Sequence, residues 1–188
     1  MIKNKISYFL ILFGLFIISY QNISKRIEII SEKNKIEYTI NGELSYSKKD
    51  NSDIYDMVIE IPQINLKKGI YNKTDSRNNI DKNITIHDDS DYPNQDFSNL
   101  ILIAHSGSGD NAFFKNVNKL NSDSLIKVYY HGKKYTYKIE NNYVIDKNGT
   151  ARIIRDENRK SITLITCSQS DKTKQLVYIG YLIDEVDY

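Results

Sequence analysis

The chain of 188 residues is long enough for one domain with a substantial core, and Lys+Arg 26 against Asp+Glu 24 leave a net charge of +2. The signs are mixed and no basic stripe stands out, which excludes an electrostatic footprint for nucleic acid. The single cysteine, Cys167, excludes an internal disulfide and a cysteine-based zinc site, while 15 Tyr, 8 Gly and 2 Pro point to a strand-rich fold.

Lys3 and Lys5 precede ISYFLILFGLFIISY, residues 6–20, an uncharged and almost wholly apolar run that reaches 18 residues when extended through Ile23. That is near the lower limit for a membrane-spanning helix. A cleaved signal peptide is the competing reading, but no small-x-small cleavage site follows, so residues 1–23 are assigned as an uncleaved anchor. Lys25 and Arg26 flank its far side, so the charges do not fix its orientation. Residues 24–56 are polar and charged, a partly helical stalk leading to a domain at 57–188.

Within that domain, MVIEIPQINLKKGIY alternates and carries Pro62, which predicts an edge strand or a break between two short strands. Residues 72–99 are rich in Asn, Asp, Ser and Thr and read as loops with one short element. NLILIAHS at 99–106 predicts a buried strand ending in His105. Phe114, Val117 and Leu120 predict a short helix or helical turn over 111–120. Residues 124–145 predict a hairpin around His131-Gly132-Lys133, whose second run continues as a separate strand from Asn142. Residues 151–160 read as a strand end plus a loop. SITLITC at 161–167 and KQLVYIGYLIDEV at 174–186 predict two more strands. An all-β, closed or nearly closed barrel is the economical architecture, because closure removes exposed edges.

A cysteine nucleophile needs a base or cation that holds it as thiolate and a donor for developing oxyanion charge. His87 lies among acids in IHDDSD, and His131 sits at a hairpin tip that turn chemistry explains. His105 ends one apolar strand as Cys167 ends another, which would bring the two side chains to one barrel rim. Taken alone, each is more readily a core or rim residue than a catalytic one.

The span 57–184 resembles the sortases, cysteine transpeptidases of Gram-positive cell surfaces. IEIPQINL at 59–66 resembles the family's entry strand. ILIAHSGSGDNAFFKNVNKL at 101–120 resembles the segment of the catalytic histidine, TLITC at 163–167 the TLxTC signature of the nucleophile, and QLVYIGYL the last strand. The resemblance implies an eight-stranded β-barrel with short helices behind an N-terminal transmembrane helix, anchored by a single pass with the catalytic domain outside the cell. It implies attack by Cys167 on an LPxTG-like sorting signal of a surface protein and a thioacyl-enzyme. An amine of a peptidoglycan precursor or a pilin lysine then resolves that intermediate. His105 is the implied acid and base, and Ala104, Ser106, Thr166 and Ser168 the implied substrate contacts. With ordinary values of about 8.5 for a thiol and about 6.5 for an imidazole, only about 1% of molecules would hold the reactive ion pair near neutrality.

The family's arginine, five positions before a small residue late in the last strand, is replaced. Counting back from Gly180 gives Gln175. Gln donates through a neutral amide, a weaker hydrogen bond than a guanidinium makes. Three readings stand: Gln175 does a reduced version of the job; Lys174, Arg152 or Arg155 reaches in; or the protein binds sorting signals without efficient turnover. Short connections on both sides of the Cys167 strand, and the lack of a DPx-type lid motif or a second apolar span, favour a small class A- or D-like member over a pilin polymerase. Asp88, Asp89 and Asp91 read as a solvated turn rather than a Ca²⁺ site, so no metal or cofactor is expected. A papain-like hydrolase and a non-catalytic anchored barrel remain as alternatives.

Overall fold

In a computed structural model of the chain, the described residues are 2–41, 54–148, 153 and 155–188. The apolar run and much of the polar segment after it form one helix, α1 (Ile2–Asn41), uninterrupted by proline and containing one glycine, Gly14. Among the described residues it is the helix long and apolar enough to cross a membrane. The stalk expected at 24–56 is thus helical through Asn41, while 42–53 lie outside the described residues.

The far end of α1 is not a free stalk. Glu32, Ile36 and Ile40 recur every fourth residue and so share one face. Ile36 is buried with Tyr55 and Val58, and Ile40 packs on the same cluster. Glu32 accepts a bond from Lys68 Nζ at 2.8 Å and another from the Tyr55 hydroxyl. Burial, and then the Glu32 carboxylate, push the Tyr55 phenol well above its ordinary value.

The domain is a single eight-stranded sheet curled into a nearly closed barrel. Its strands are β1 (Met57–Ile61), β2 (Leu66–Ile70), β3 (Thr85–Ile86), β4 (Asn99–Ile103), β5 (Leu125–Tyr130), β6 (Lys133–Asp146), β7 (Ser161–Cys167) and β8 (Lys174–Asp187). They run in the order β2-β1-β5-β6-β8-β7-β4-β3. All neighbours are antiparallel except β4 and β7. The seam lies between the edge strands β2 and β3. The buried Asn83 bridges it, donating Nδ2 to Gly69 O at 2.9 Å. Gly69 has no alternative there, because a Cβ would fall 2.0 Å from the Tyr55 ring.

Local chemistry explains the departures from expectation. Pro62 opens a 3₁₀ turn (Pro62–Ile64), Asn65 follows in the left-handed region, and the alternating run becomes the β1–β2 hairpin. Only Val117–Lys119 is helical within 111–120, again as 3₁₀. Phe114, Val117 and Leu120, all buried, are spaced by three, the 3₁₀ repeat rather than the α repeat. The separate strand expected from Asn142 is the continuation of β6, which pairs with β8 along its length. A register shift between Ile139 and Asn141 bulges it at Glu140. An extra residue reverses the alternation, so Tyr135, Tyr137 and Ile139 face the barrel core whereas Tyr143 and Ile145 join an outer cluster. Around 151–160 no strand occurs among the described residues, and 149–152 and 154 lie outside them.

Strands β4, β7 and β8 are apolar on both faces, as the continuous runs NLILI and SITLIT require. Inside lie Leu100, Leu102, Ala104, Ile162, Leu164 and Tyr178. Outside lie Ile101, Ile165, Val177, Ile179 and Tyr181, flanked by Ile103, Ile145 and Ile153.

Candidate active site

The parallel register of β4 and β7 aligns Asn99 with Ser161 and Ile103 with Ile165. Carried two residues further, it aligns His105 with Cys167. On the other side, Cys167 is the direct cross-strand partner of Gln175, and Gln175 in turn faces Ile145 of β6. Residues directly opposite in a ladder share a face, with Cα atoms about 4.5–5.5 Å apart. An imidazole just past the end of β4 and a thiol and an amide paired across β7 and β8 thus come from neighbouring segments of the sheet.

Alternation also fixes which face they use. Ile103, Ile165 and Val177, each two residues away, belong to the outer cluster. Cys167 is the last residue of β7 and Gln175 the second of β8, so the candidate site lies at strand ends, on the side of the wall that points away from the core. All three side chains are part-exposed.

The backbone around them is tied by short bonds. Ala104 N donates to Ile165 O at 3.3 Å, Thr166 Oγ1 to Ala104 O at 2.7 Å, and Ser106 Oγ to Cys167 O. Phe114 N donates to His105 O at 2.9 Å, anchoring the histidine loop on a core aromatic. Gln169, just past the cysteine, donates Nε2 to Ser106 O and to Lys115 O. The loop that follows is a chain of side-chain turns. Asp171 N donates to Ser168 Oγ, and the hydroxyl and N–H of Thr173 hold the Asp171 carboxyl below the usual carboxylate range.

Ala104, Ser106, Thr166 and Ser168 are all buried. Ala104 is part of the barrel core, the Thr166 and Ser106 hydroxyls bond the neighbouring strand, and Ser168 Oγ pairs with Ser170 Oγ at 3.0 Å. These side chains brace the candidate site from below.

Two of the three cations named as substitutes, Lys174 and Arg155, are committed elsewhere. Lys174 lies on the opposite face, with Nζ 2.5 Å from Asp146 Oδ1. Arg155 bonds the Asp91 carboxylate and the Asp89 carbonyl. Arg152 lies outside the described residues. The acidic loop is in this way braced by cations: Arg155 on one side and Lys73, donating to the carbonyls of Asp88 and Ser90, on the other. Among the described residues no three His, Cys, Asp or Glu side chains converge on a metal position. His87 accepts from Asp89 N through Nδ1, and His131 sits at the β5–β6 turn with φ 49°, stacked on Tyr130.

One contact had no signal in the sequence. Asp81, from the Asn/Asp-rich stretch between β2 and β3, places Oδ1 3.2 Å from His105 Nε2.

A family model for the sortase domain matches residues 59–183. The chain belongs to the sortase family. It is 24% identical over 110 residues to sortase D of Bacillus subtilis (strain 168), a match covering 58% of this chain and 52% of that one, so it spans about half the length of that relative. Solved sortases share the fold. Sortase C-1 of Actinomyces oris superposes with a TM-score of 0.62 at 23% identity, covering 84% of this chain and 98% of the other. A sortase D5 transpeptidase of Clostridium perfringens gives 0.62 at 19% identity, covering 81% and 98%. The outer wall of β4, β7 and β8 is therefore the candidate site of a sortase barrel.

Proposed function

We propose that the protein is a membrane-anchored cysteine transpeptidase acting on LPxTG-like sorting signals of surface proteins. The observation that carries this reading is the pairing of Cys167 with Gln175, with His105 two residues past the end of β4, whose parallel register with β7 leads toward Cys167. An extended peptide reaching the part-exposed strand end beside Ile103 would present a carbonyl to the Cys167 thiol.

The Cys167 thiolate attacks the threonine carbonyl carbon, forming a C–S bond. As the tetrahedral intermediate collapses, the C–N bond to the next residue breaks and protonated His105 gives its proton to the departing amine. The acyl group is now a thioester. An amine of a peptidoglycan precursor or a pilin lysine attacks it, passes a proton to His105, and releases the thiolate. Gln175 donates an amide N–H toward the oxyanion, a neutral substitute for the family's arginine. Its place opposite Cys167, and the commitment of Lys174 and Arg155 to other partners, favour it over those two cations. The apolar half of α1 anchors the barrel to the membrane on its outer surface, near sorting signals and wall precursors.

The thioester is the test. Full-length protein incubated with an LPxTG peptide and no amine should gain the mass of the acyl fragment on Cys167, and hydroxylamine should remove it. A thiol that stays unmodified while the peptide also stays intact supports a binding barrel instead.

A further inference from the structure

Asp81 reaches the catalytic histidine from a loop that is itself firmly held. Its N–H donates to Asn79 Oδ1 at 2.9 Å, and its carbonyl accepts Nδ2 of Asn111, from the loop after His105, at 2.8 Å. Two residues on, the buried Asn83 is fixed to Gly69 across the barrel seam. The main chain on both sides of the carboxylate is thus pinned, and Oδ1 stands 3.2 Å from His105 Nε2.

An ionised carboxylate can only accept hydrogen bonds. The imidazole nitrogen facing it must therefore carry the hydrogen, and in the neutral ring the lone pair falls to Nδ1. Resting on the transpeptidase reading above, we propose that Asp81 is a positioning residue that holds His105 in the Nε2–H tautomer, which makes Nδ1 the nitrogen that exchanges protons with the two amines. The imidazolium gives its Nδ1 proton to the departing amine, leaving the Nε2–H tautomer. The same Nδ1 lone pair then takes the proton of the incoming amine. Through both steps the Nε2–H stays on Asp81 and the ring need not turn over.

Both partners are open to water, the Asp81 side chain at 79% and the His105 side chain at 39%, so the contact acts by orientation and its effect on rate is modest. A loss of about fivefold is the scale for one exposed charged contact.

The test uses the full chain in detergent micelles, labelled with ¹⁵N-histidine, with His87→Gln and His131→Gln variants to assign the signals. In the wild type the neutral His105 ring should show one tautomer, with hydrogen on Nε2. Asp81→Ala should give the two-tautomer mixture of a free imidazole and lower kcat about fivefold with KM unchanged. Asp81→Glu should restore both, and Asp81→Asn, whose side-chain oxygen also accepts, should restore the tautomer. Unchanged ring nitrogen signals in Asp81→Ala overturn the proposal, and so does an altered ring with unchanged kcat. If the wild-type chain forms no ligation product, the transpeptidase reading fails separately, and the ring signals alone still decide whether Asp81 sets the tautomer. Melting curves of the Asp81 variants should match the wild type, because the side chain is exposed and supports no core.

Discussion

The two faces of the β4–β7–β8 wall are built from nearly the same residue types and do different work. Inward, Leu100, Leu102, Ile162 and Leu164 pack a closed core. Outward, Ile101, Ile165, Val177 and Ile179 make an apolar layer just as continuous, but it runs up to His105, Cys167 and Gln175. Strand alternation thus lets adjacent residues divide the tasks: Leu164 packs the inner core, while Ile165 packs the outer cluster and Cys167 stands part-exposed at the candidate site. A site on a two-sided wall inherits the rigidity of the core behind it without taking residues from that core.

The comparison predicts a separation of effects along one strand. Cys167→Ala should abolish thioester formation, a loss of a thousandfold or more on the order expected for a missing nucleophile, and leave the urea midpoint within experimental error. Stability moving as much as activity would mean that Cys167 belongs to the core. Leu164→Ala, three residues earlier on the inner face, should cost about 2–5 kcal/mol in urea unfolding. The folded fraction should keep its rate of thiol alkylation.

Gln175 sharpens the outer face. Gln175→Ala should lower kcat by about tenfold or more, toward the cost of a lost oxyanion donor, and Gln175→Arg should raise it above the wild type. Equal rates in all three proteins would remove Gln175 from the chemistry.

A smaller effect tests the inner face. The Tyr137 hydroxyl is buried without a hydrogen-bond partner among the described residues, and burial pushes its phenol far up. Below the unfolded phenol's value of about 10 both states hold the proton and stability is independent of this group's titration; as pH rises beyond it only the unfolded state ionises, and stability falls. Tyr137→Phe should gain up to about 1 kcal/mol at neutral pH by removing the unpaired group, and its stability should fall less steeply above pH 10. A loss of stability at neutral pH would point to a partner for that hydroxyl.

Much of this was legible because each strand of the wall is a short, bounded run of β-branched and apolar residues. The placement of His105 and Cys167 after such runs singled them out as candidates, and counting back from Gly180 singled out Gln175, which the sheet places opposite Cys167. Other features were hidden for physical reasons. A single extra residue at Glu140 reversed the faces of β6, and nothing in KIENNYVI marks it. Phe114, Val117 and Leu120 fit an α-helix loosely and a 3₁₀ turn better. The outer placement of the site depends on which parity of β4 and β7 faces the core, and an all-apolar strand does not say. Asp81 meets His105 only because Asn83 and Asn111 fix a polar loop, a long-range arrangement with no local pattern. The docking of α1 was visible only as Glu32, Ile36 and Ile40 on one helical face, a stripe too short to stand out from the polar segment around it.

The most direct test of the account is ligation. Full-length protein should join an LPxTG-type peptide to an added amine nucleophile, cleaving after the threonine, and Cys167→Ala and His105→Ala should form no product. Peptide hydrolysis without amine transfer, or ligation that survives loss of Cys167, would contradict it.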